Sequence, residues 1–123
     1  MVVDTSVILA VFFDEPHAAW SARKLNEYAA WLRMSTVNLA ETLIRIRDRQ
    51  PSLAEDLESR LLTSGIRFVP PDAAQAKTAA RARLRFPLNL GDCFCYALAA
   101  AEDCPILTTD AGFRNVDRPV ILP

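Results

Sequence analysis

The chain has 123 residues, of which 51% are hydrophobic and only 3 are glycine, enough apolar material for one compact domain spanning 1–123 with a real core. Its 14 Lys plus Arg against 15 Asp plus Glu leave a net charge of −1, so no global positive field draws it to nucleic acid and any phosphate binding must be local.

Met1-Val2-Val3 runs into Asp4-Thr5-Ser6 and then an apolar run, which predicts a short buried strand, a capping turn and a helix over 5–13. That run, Val7 to Phe13, falls far short of the roughly 20 residues needed to span a bilayer. It also lacks a signal peptide's positive flank, and no membrane association is expected. Pro16 opens a second helical stretch through Trp20, Lys24 and Tyr28, and Trp31 to Ser35 reads as a brief strand.

Residues 37–49 read as a helix. Val37, Ala40, Ile44 and Arg47 mark one row and Leu39, Leu43 and Ile46 the next, giving a broad apolar face before Pro51. Leu53, Leu57 and Leu61 recur every fourth residue up to the Gly65 cap, and Ile66 to Val69 follows as a strand. Pro70-Pro71 and Asp72 open an alanine-rich helix over 73–85, Pro87 closes it, and Gly91-Asp92 begin another helix reaching Asp103.

Ile106 to Thr108 and Val120 to Leu122 complete a set of four to five short strands alternating with helices. This pattern predicts an α/β protein, a three-layer α/β/α domain with a short, mainly parallel central sheet. Cys93, Cys95 and Cys104 are odd in number and no secretory leader is evident, so buried free thiols in a reducing cytoplasm are expected.

In open α/β sheets, ligands collect beyond the carboxyl ends of the strands. Asp4 ends the first strand, Asp110 follows the strand at 106–108, and Glu41 lies early in the helix after the strand at 31–35. Asp92 opens a helix whose N-terminus faces the same crevice. Each has a purely structural alternative: Asp4 and Asp92 as helix N-caps, Asn38-Leu39-Ala40-Glu41 as a capping box, Asp110-Ala111-Gly112 as a turn.

Four carboxylates at one sheet edge repel one another unless a cation or protons neutralise them. The hard cations Mg²⁺ and Mn²⁺ suit oxygen ligands, and such a site suits phosphodiester hydrolysis. Competing chemistries find little support. His17 is the only histidine, Cys93-x-Cys95 lacks a second ligand pair, and no glycine-rich nucleotide loop is present.

The blocks Met1 to Ser6, Asn38 to Glu41, Asn89 to Phe94 and Leu107 to Phe113 resemble, in order and spacing, the successive motifs of PIN-domain proteins. The likeness runs from residue 1 to about 116 and is closest to VapC-type toxins of type II toxin–antitoxin systems. It implies that Asp4, Glu41, Asp92 and Asp110 form the acidic quartet of a Mg²⁺- or Mn²⁺-dependent endoribonuclease. Ser6 or Thr5 would supply the hydroxyl supporting Asp4, and Asn89 aligns with a frequent neighbour of the third acid.

The resemblance further implies cleavage of RNA needed for translation, inhibition by a small antitoxin, a homodimer and larger toxin–antitoxin assemblies. Lys77, Arg81, Arg83 and Arg85 form the densest basic segment and are candidate RNA phosphate contacts, with Arg45, Arg47 and Arg49 a second set. Phe12, Phe13, Trp20, Trp31 and the leucine-rich stretch 53–62 offer apolar surface suited to an interface. Two alternatives stand beside this reading: a catalytically inactive PIN-like binding module, and a PIN nuclease acting in RNA processing or on DNA.

Overall fold

The computed structural model describes residues 1–123. Five strands, β1 (Val2–Val3), β2 (Arg33–Ser35), β3 (Arg67–Val69), β4 (Ile106–Leu107) and β5 (Val120–Ile121), form one sheet in the order β3-β2-β1-β4-β5. Every pairing is parallel, with Val2 opposite Arg33 on one side and Ile106 on the other. Strands this short gain stability from burial on both faces rather than from ladder length. Val2, Val3, Ile106 and Leu107 are all fully buried, each worth about 1.5–3 kcal/mol relative to exposure.

The strand period of two divides these residues between two cores. Val2 and Ile106 face α5 (Ala73–Arg85) and α6 (Leu90–Glu102), joining Ala79, Ala82, Tyr96, Leu98 and Phe113. Val3 and Leu107 face the opposite layer, joining Val7 and Ile8 of α1 (Thr5–Phe12), Leu61 of α4 (Ala54–Leu62), and Trp20 and Leu25 of α2 (Ala18–Glu27). The α3 helix (Thr36–Arg49) contacts both α1 and α6, bridging the layers at the carboxyl end of the sheet.

Element ends follow their caps. Asp72 accepts the Gln75 N–H at 2.8 Å to start α5. At the start of α6, Asn89 and Asp92 form a reciprocal capping box. The second helix begins at Ala18 rather than Pro16, and Ala29–Trp31 forms a 3₁₀ turn that delays β2 to Arg33.

The predicted capping box at Asn38 to Glu41 is absent. Ser35 caps α3 by accepting the Val37 N–H at 3.3 Å, which puts Asn38 inside the helix. Of the two predicted rows of α3, the second faces inward, with Ile46 buried and Leu39 and Leu43 packed partly buried against the core, while Ala40, Ile44 and Arg47 of the first are exposed; Asn38 and Thr42 are covered beside Ile46. Two polar residues occupy that row because both are hydrogen-bonded there. Thr42 Oγ1 donates to Asn38 O at 2.7 Å, and Asn38 Nδ2 donates to Gly91 O at 2.9 Å.

All three cysteines are free, with Cys93 and Cys95 buried. No helix is long and apolar enough to cross a membrane.

Candidate active site

The order β3-β2-β1-β4-β5 reverses direction between β1 and β4, and the crevice beyond the carboxyl ends of those two strands is where such sheets bind ligands. Asp4 leaves β1 there, its N–H donating to Leu107 O at 2.9 Å, and Asp110 lies three residues beyond the end of β4. A cleft of about 240 Å³ opens at this point. Asp4, Glu41, Asp92 and Asp110 all line it, and Leu9 is its only apolar wall residue.

Asp4 is 2% exposed and forms the floor. Its Oδ2 accepts from Ser6 Oγ at 2.6 Å, Thr108 Oγ1 at 2.9 Å and the Ser6 N–H at 3.4 Å. Ser6 Oγ in turn accepts the Thr109 N–H at 3.0 Å, and Thr108 Oγ1 accepts the Asp110 N–H at 2.9 Å. Each hydroxyl has one proton, and both protons go to the same carboxylate oxygen, which ties the end of β1 to the end of β4. The other oxygen, Oδ1, is buried and has no hydrogen-bond partner.

Asp92 and Asp110 show the same division. Asp92 Oδ2 accepts the Asn89 N–H at 3.1 Å and Asp110 Oδ1 accepts the Gly112 N–H at 2.8 Å. In each, the second oxygen accepts no hydrogen bond, and both residues line the cleft. Glu41 projects from the second turn of α3 and lies against Gly91 at the start of α6.

The electrostatics reflect this crowding. Burial raises the Asp4 carboxyl above its ordinary range, the Ser6 and Thr108 hydroxyls oppose it, and the Glu41 charge adds to the rise. The Asp92 carboxyl is pushed up to about 7, first by burial, then by the Asp4 charge, with Asp110 and Glu41 contributing and the Asn89 N–H opposing. Mutually repelling carboxyl groups therefore dominate the cleft, with Arg45 its one basic side chain.

Oxygen donors alone, a buried orphan oxygen and mutually repelling carboxylates fit a hard divalent cation. As the side chains stand, no group of three or more is gathered tightly enough to cage an ion.

The hydroxyl support for Asp4 comes from Ser6 and Thr108. Thr5 Oγ1 instead donates to Asn38 O at 3.2 Å, joining α1 to α3. Asn89 lines the cleft and caps α6. None of Lys77, Arg81, Arg83 and Arg85 reaches the cleft, because α5 packs on the far side of α6. Arg85 pairs with Asp117 at 3.0 Å, and Arg83 lines an apolar groove beside Leu90 and Phe94. Of the second basic set, Arg45 alone lines the cleft; Arg47 pairs with Glu58 and Arg49 stacks on Phe13.

Sequence reasoning missed Thr108, Asn38 as a bridging side chain, and Glu15. Glu15 is a fifth acid brought to the cleft wall after a reversal at Asp14, whose φ is 51°. A hydroxyl two residues before Asp110 was the available signal for Thr108; nothing local marked Glu15.

Fold and site together define a class, the parallel α/β/α domains that gather carboxylates in a cleft at the topological switch point. Three comparisons make this specific. A PIN-domain sequence profile matches residues 1–119. Ribonuclease VapC of Mycolicibacterium smegmatis is 35% identical over 126 aligned positions, covering 95% of this chain and 96% of that protein.

Among solved structures, the sarcin-ricin loop cleaving toxin VapC20 of Mycobacterium tuberculosis superposes with a TM-score of 0.84 at 17% identity, covering 99% of this chain and 98% of that one. VapBC2 from Rickettsia felis bound to a promoter DNA fragment gives 0.80 at 13% identity, covering 98% and 96%. The chain belongs to the PIN-domain family, among the VapC ribonucleases.

Proposed function

We propose that this protein is an endoribonuclease toxin that uses Mg²⁺ or Mn²⁺ to cut cellular RNA required for translation, and that a cognate antitoxin neutralises it. The whole of 1–123 acts as a single PIN domain in the cytoplasm. One observation carries the catalytic reading: Asp4 sits at the floor of an acid-lined cleft with one oxygen fully hydrogen-bonded and the other buried and unpartnered.

Asp4, Asp92, Asp110 and Glu41 are the residues that would hold the cation. A bound divalent ion would acidify the attacking water and neutralise charge on the phosphate and leaving oxygen. Ser6 and Thr108 fix the orientation of Asp4, so its free oxygen is presented without reorganisation. Arg45, the only basic side chain lining the cleft and one without an ion pair, takes a phosphate oxygen of the RNA.

Antitoxin capture is supported by an apolar groove built from Ile8 and Phe12 of α1, Leu25 of α2, Leu61 of α4, and Ile66, with Arg60 on its rim. A groove of this kind accepts the apolar face of a partner helix. The exposed side chains of Ile44 and Leu90, at 60% and 72% exposure, line one shallow depression and offer a second apolar surface for a homodimer and the larger toxin–antitoxin assemblies.

The direct test is to induce the protein in a heterologous bacterium and sequence the newly formed RNA 5′ ends, with Asp4→Asn as control. Discrete cleavage sites and growth arrest that depend on Asp4 are expected; arrest without RNA ends, or the same ends from the Asp4→Asn variant, would exclude the assignment.

A further inference from the structure

Of the chain's 3 glycines, only Gly65, with φ 88°, needs a backbone that other residues avoid. The other two each abut a cleft carboxylate. A methyl group on Gly91 would lie 2.6 Å from Glu41 Oε2 and 2.9 Å from its Cδ, well inside van der Waals contact. One on Gly112 would lie 3.1 Å from Asp110 Oδ1.

Gly91 occupies the first turn of α6, where helix propensity favours alanine. Local conformation therefore gives no reason for glycine here, and space does. We propose that Gly91 is a positioning residue of the metal site: its missing side chain lets the Glu41 carboxylate rest on the first turn of α6, immediately beside Asp92. This rests on the metal-dependent nuclease reading above.

A second contact fixes the same junction. Asn38 is fully buried and its Nδ2 donates to Gly91 O at 2.9 Å. Asn38 lies one turn before Glu41, and Gly91 directly precedes Asp92. The hydrogen bond sets the spacing of α3 from α6, and the absent side chain sets where the carboxylate stops. The N-terminal end of α6 adds a favourable field for an anion placed there.

The atoms that would meet the new methyl are the far end of a flexible side chain, not backbone. Gly91→Ala should therefore displace the carboxylate and leave the helices where they are. This separates a positioning role from a packing role.

The test compares full-length wild type, Gly91→Ala and the double variant Gly91→Ala/Glu41→Asp. Readouts are melting of the metal-free proteins, Mn²⁺ affinity by calorimetry and cleavage of an RNA substrate. Gly91→Ala is expected to melt at or above the wild-type temperature while its Mn²⁺ dissociation constant rises by about tenfold or more, the scale seen when support for a ligand is lost. The double variant is expected to bind Mn²⁺ more tightly than Gly91→Ala, since a carboxylate one methylene shorter ends before the methyl.

Unchanged Mn²⁺ affinity in Gly91→Ala overturns the proposal. So does a large drop in its melting temperature, which would show that the helix had moved. If wild type binds no Mn²⁺ and cuts no RNA, the nuclease reading falls and takes this inference with it. If wild type does both and Gly91→Ala equals it, only the inference falls.

Discussion

Replacing Asp92 by Asn removes one negative charge from the cleft at nearly constant shape. The Asn89 N–H that donates to Asp92 Oδ2 at 3.1 Å can donate equally to an amide oxygen, so the capping box that starts α6 survives. What changes is the ionisation cost. The Asp92 carboxyl is held at about 7 by burial and by the Asp4 charge, against an ordinary value of 3.8.

A folded acid with a raised pKa binds its proton more tightly than the unfolded chain does. The associated stability is complete below pH 3.8, declines as pH rises, and is lost once pH passes about 7. At about 1.36 kcal/mol per unit, the full shift would amount to roughly 4 kcal/mol. Solvent reaching the open cleft screens the charges and reduces this to about 1–2 kcal/mol.

Metal-free Asp92→Asn is therefore expected to be about 1–2 kcal/mol more stable than wild type at pH 8, raising its melting temperature by about 3–10 °C. Near pH 4 the two should converge. The measurement is urea and thermal unfolding of EDTA-treated protein at pH 4, 6 and 8. A variant equal to or weaker than wild type at pH 8 would refute the claim that Asp92 sits in a net repulsive field.

Three further outcomes follow from the same geometry. Saturating Mn²⁺ should raise wild-type stability by about 2.7 kcal/mol at a hundredfold excess over the dissociation constant, and much less for Asp4→Asn; equal shifts in both would place the ion elsewhere. Thr108→Val removes one hydroxyl from Asp4 Oδ2 and should lower Mn²⁺ affinity or cleavage by roughly 10–100-fold, read by calorimetry and single-turnover rates. Arg45→Ala should raise KM with kcat little changed and reduce the slope of log affinity against log salt by about 0.7, measured by RNA binding titrations in Ca²⁺.

Element order was legible because caps and breakers are local. Asp72 and Pro87 bracket α5 as the sequence puts them, and α6 begins within one residue of the expected Gly91, although Asn89 rather than Asp92 is its N-cap. What was not legible depends on which way a helix faces. The basic residues of α5 are dense in sequence, yet α5 packs on the far side of α6, so none lines the cleft, while the single Arg45 on α3 does. On α3 itself, apolar periodicity pointed to Leu39, Leu43 and Ile46, which do face the core, and also to Ala40 and Ile44, which are exposed. The fully buried residues are Asn38, Thr42 and Ile46, because the Asn38 amide N–H and the Thr42 hydroxyl find buried acceptors, although Asn38 Oδ1 has none. Glu15 joins the cleft only through the left-handed backbone at Asp14, which no side-chain pattern announced.

The capping and functional readings of the three aspartates are compatible, because capping occupies only one oxygen of each. Asp4 and Asp110 are N-caps and Asp92 is the third residue of a capping box. A capping carboxylate accepts a backbone N–H through one oxygen and leaves its second oxygen available to another partner. Asp4 and Asp110, beyond the carboxyl ends of β1 and β4, and Asp92, in the first turn of α6, all line the cleft. Asp4 Oδ2, Asp92 Oδ2 and Asp110 Oδ1 are each committed to an N–H donor, and their partner oxygens accept no hydrogen bond. On the function proposed above, capping is the device that would preorganise these oxygens for a cation. Glu41 lacks a cap and depends on Asn38 and Gly91 instead, which makes it the acid most sensitive to changes in its neighbours rather than in itself.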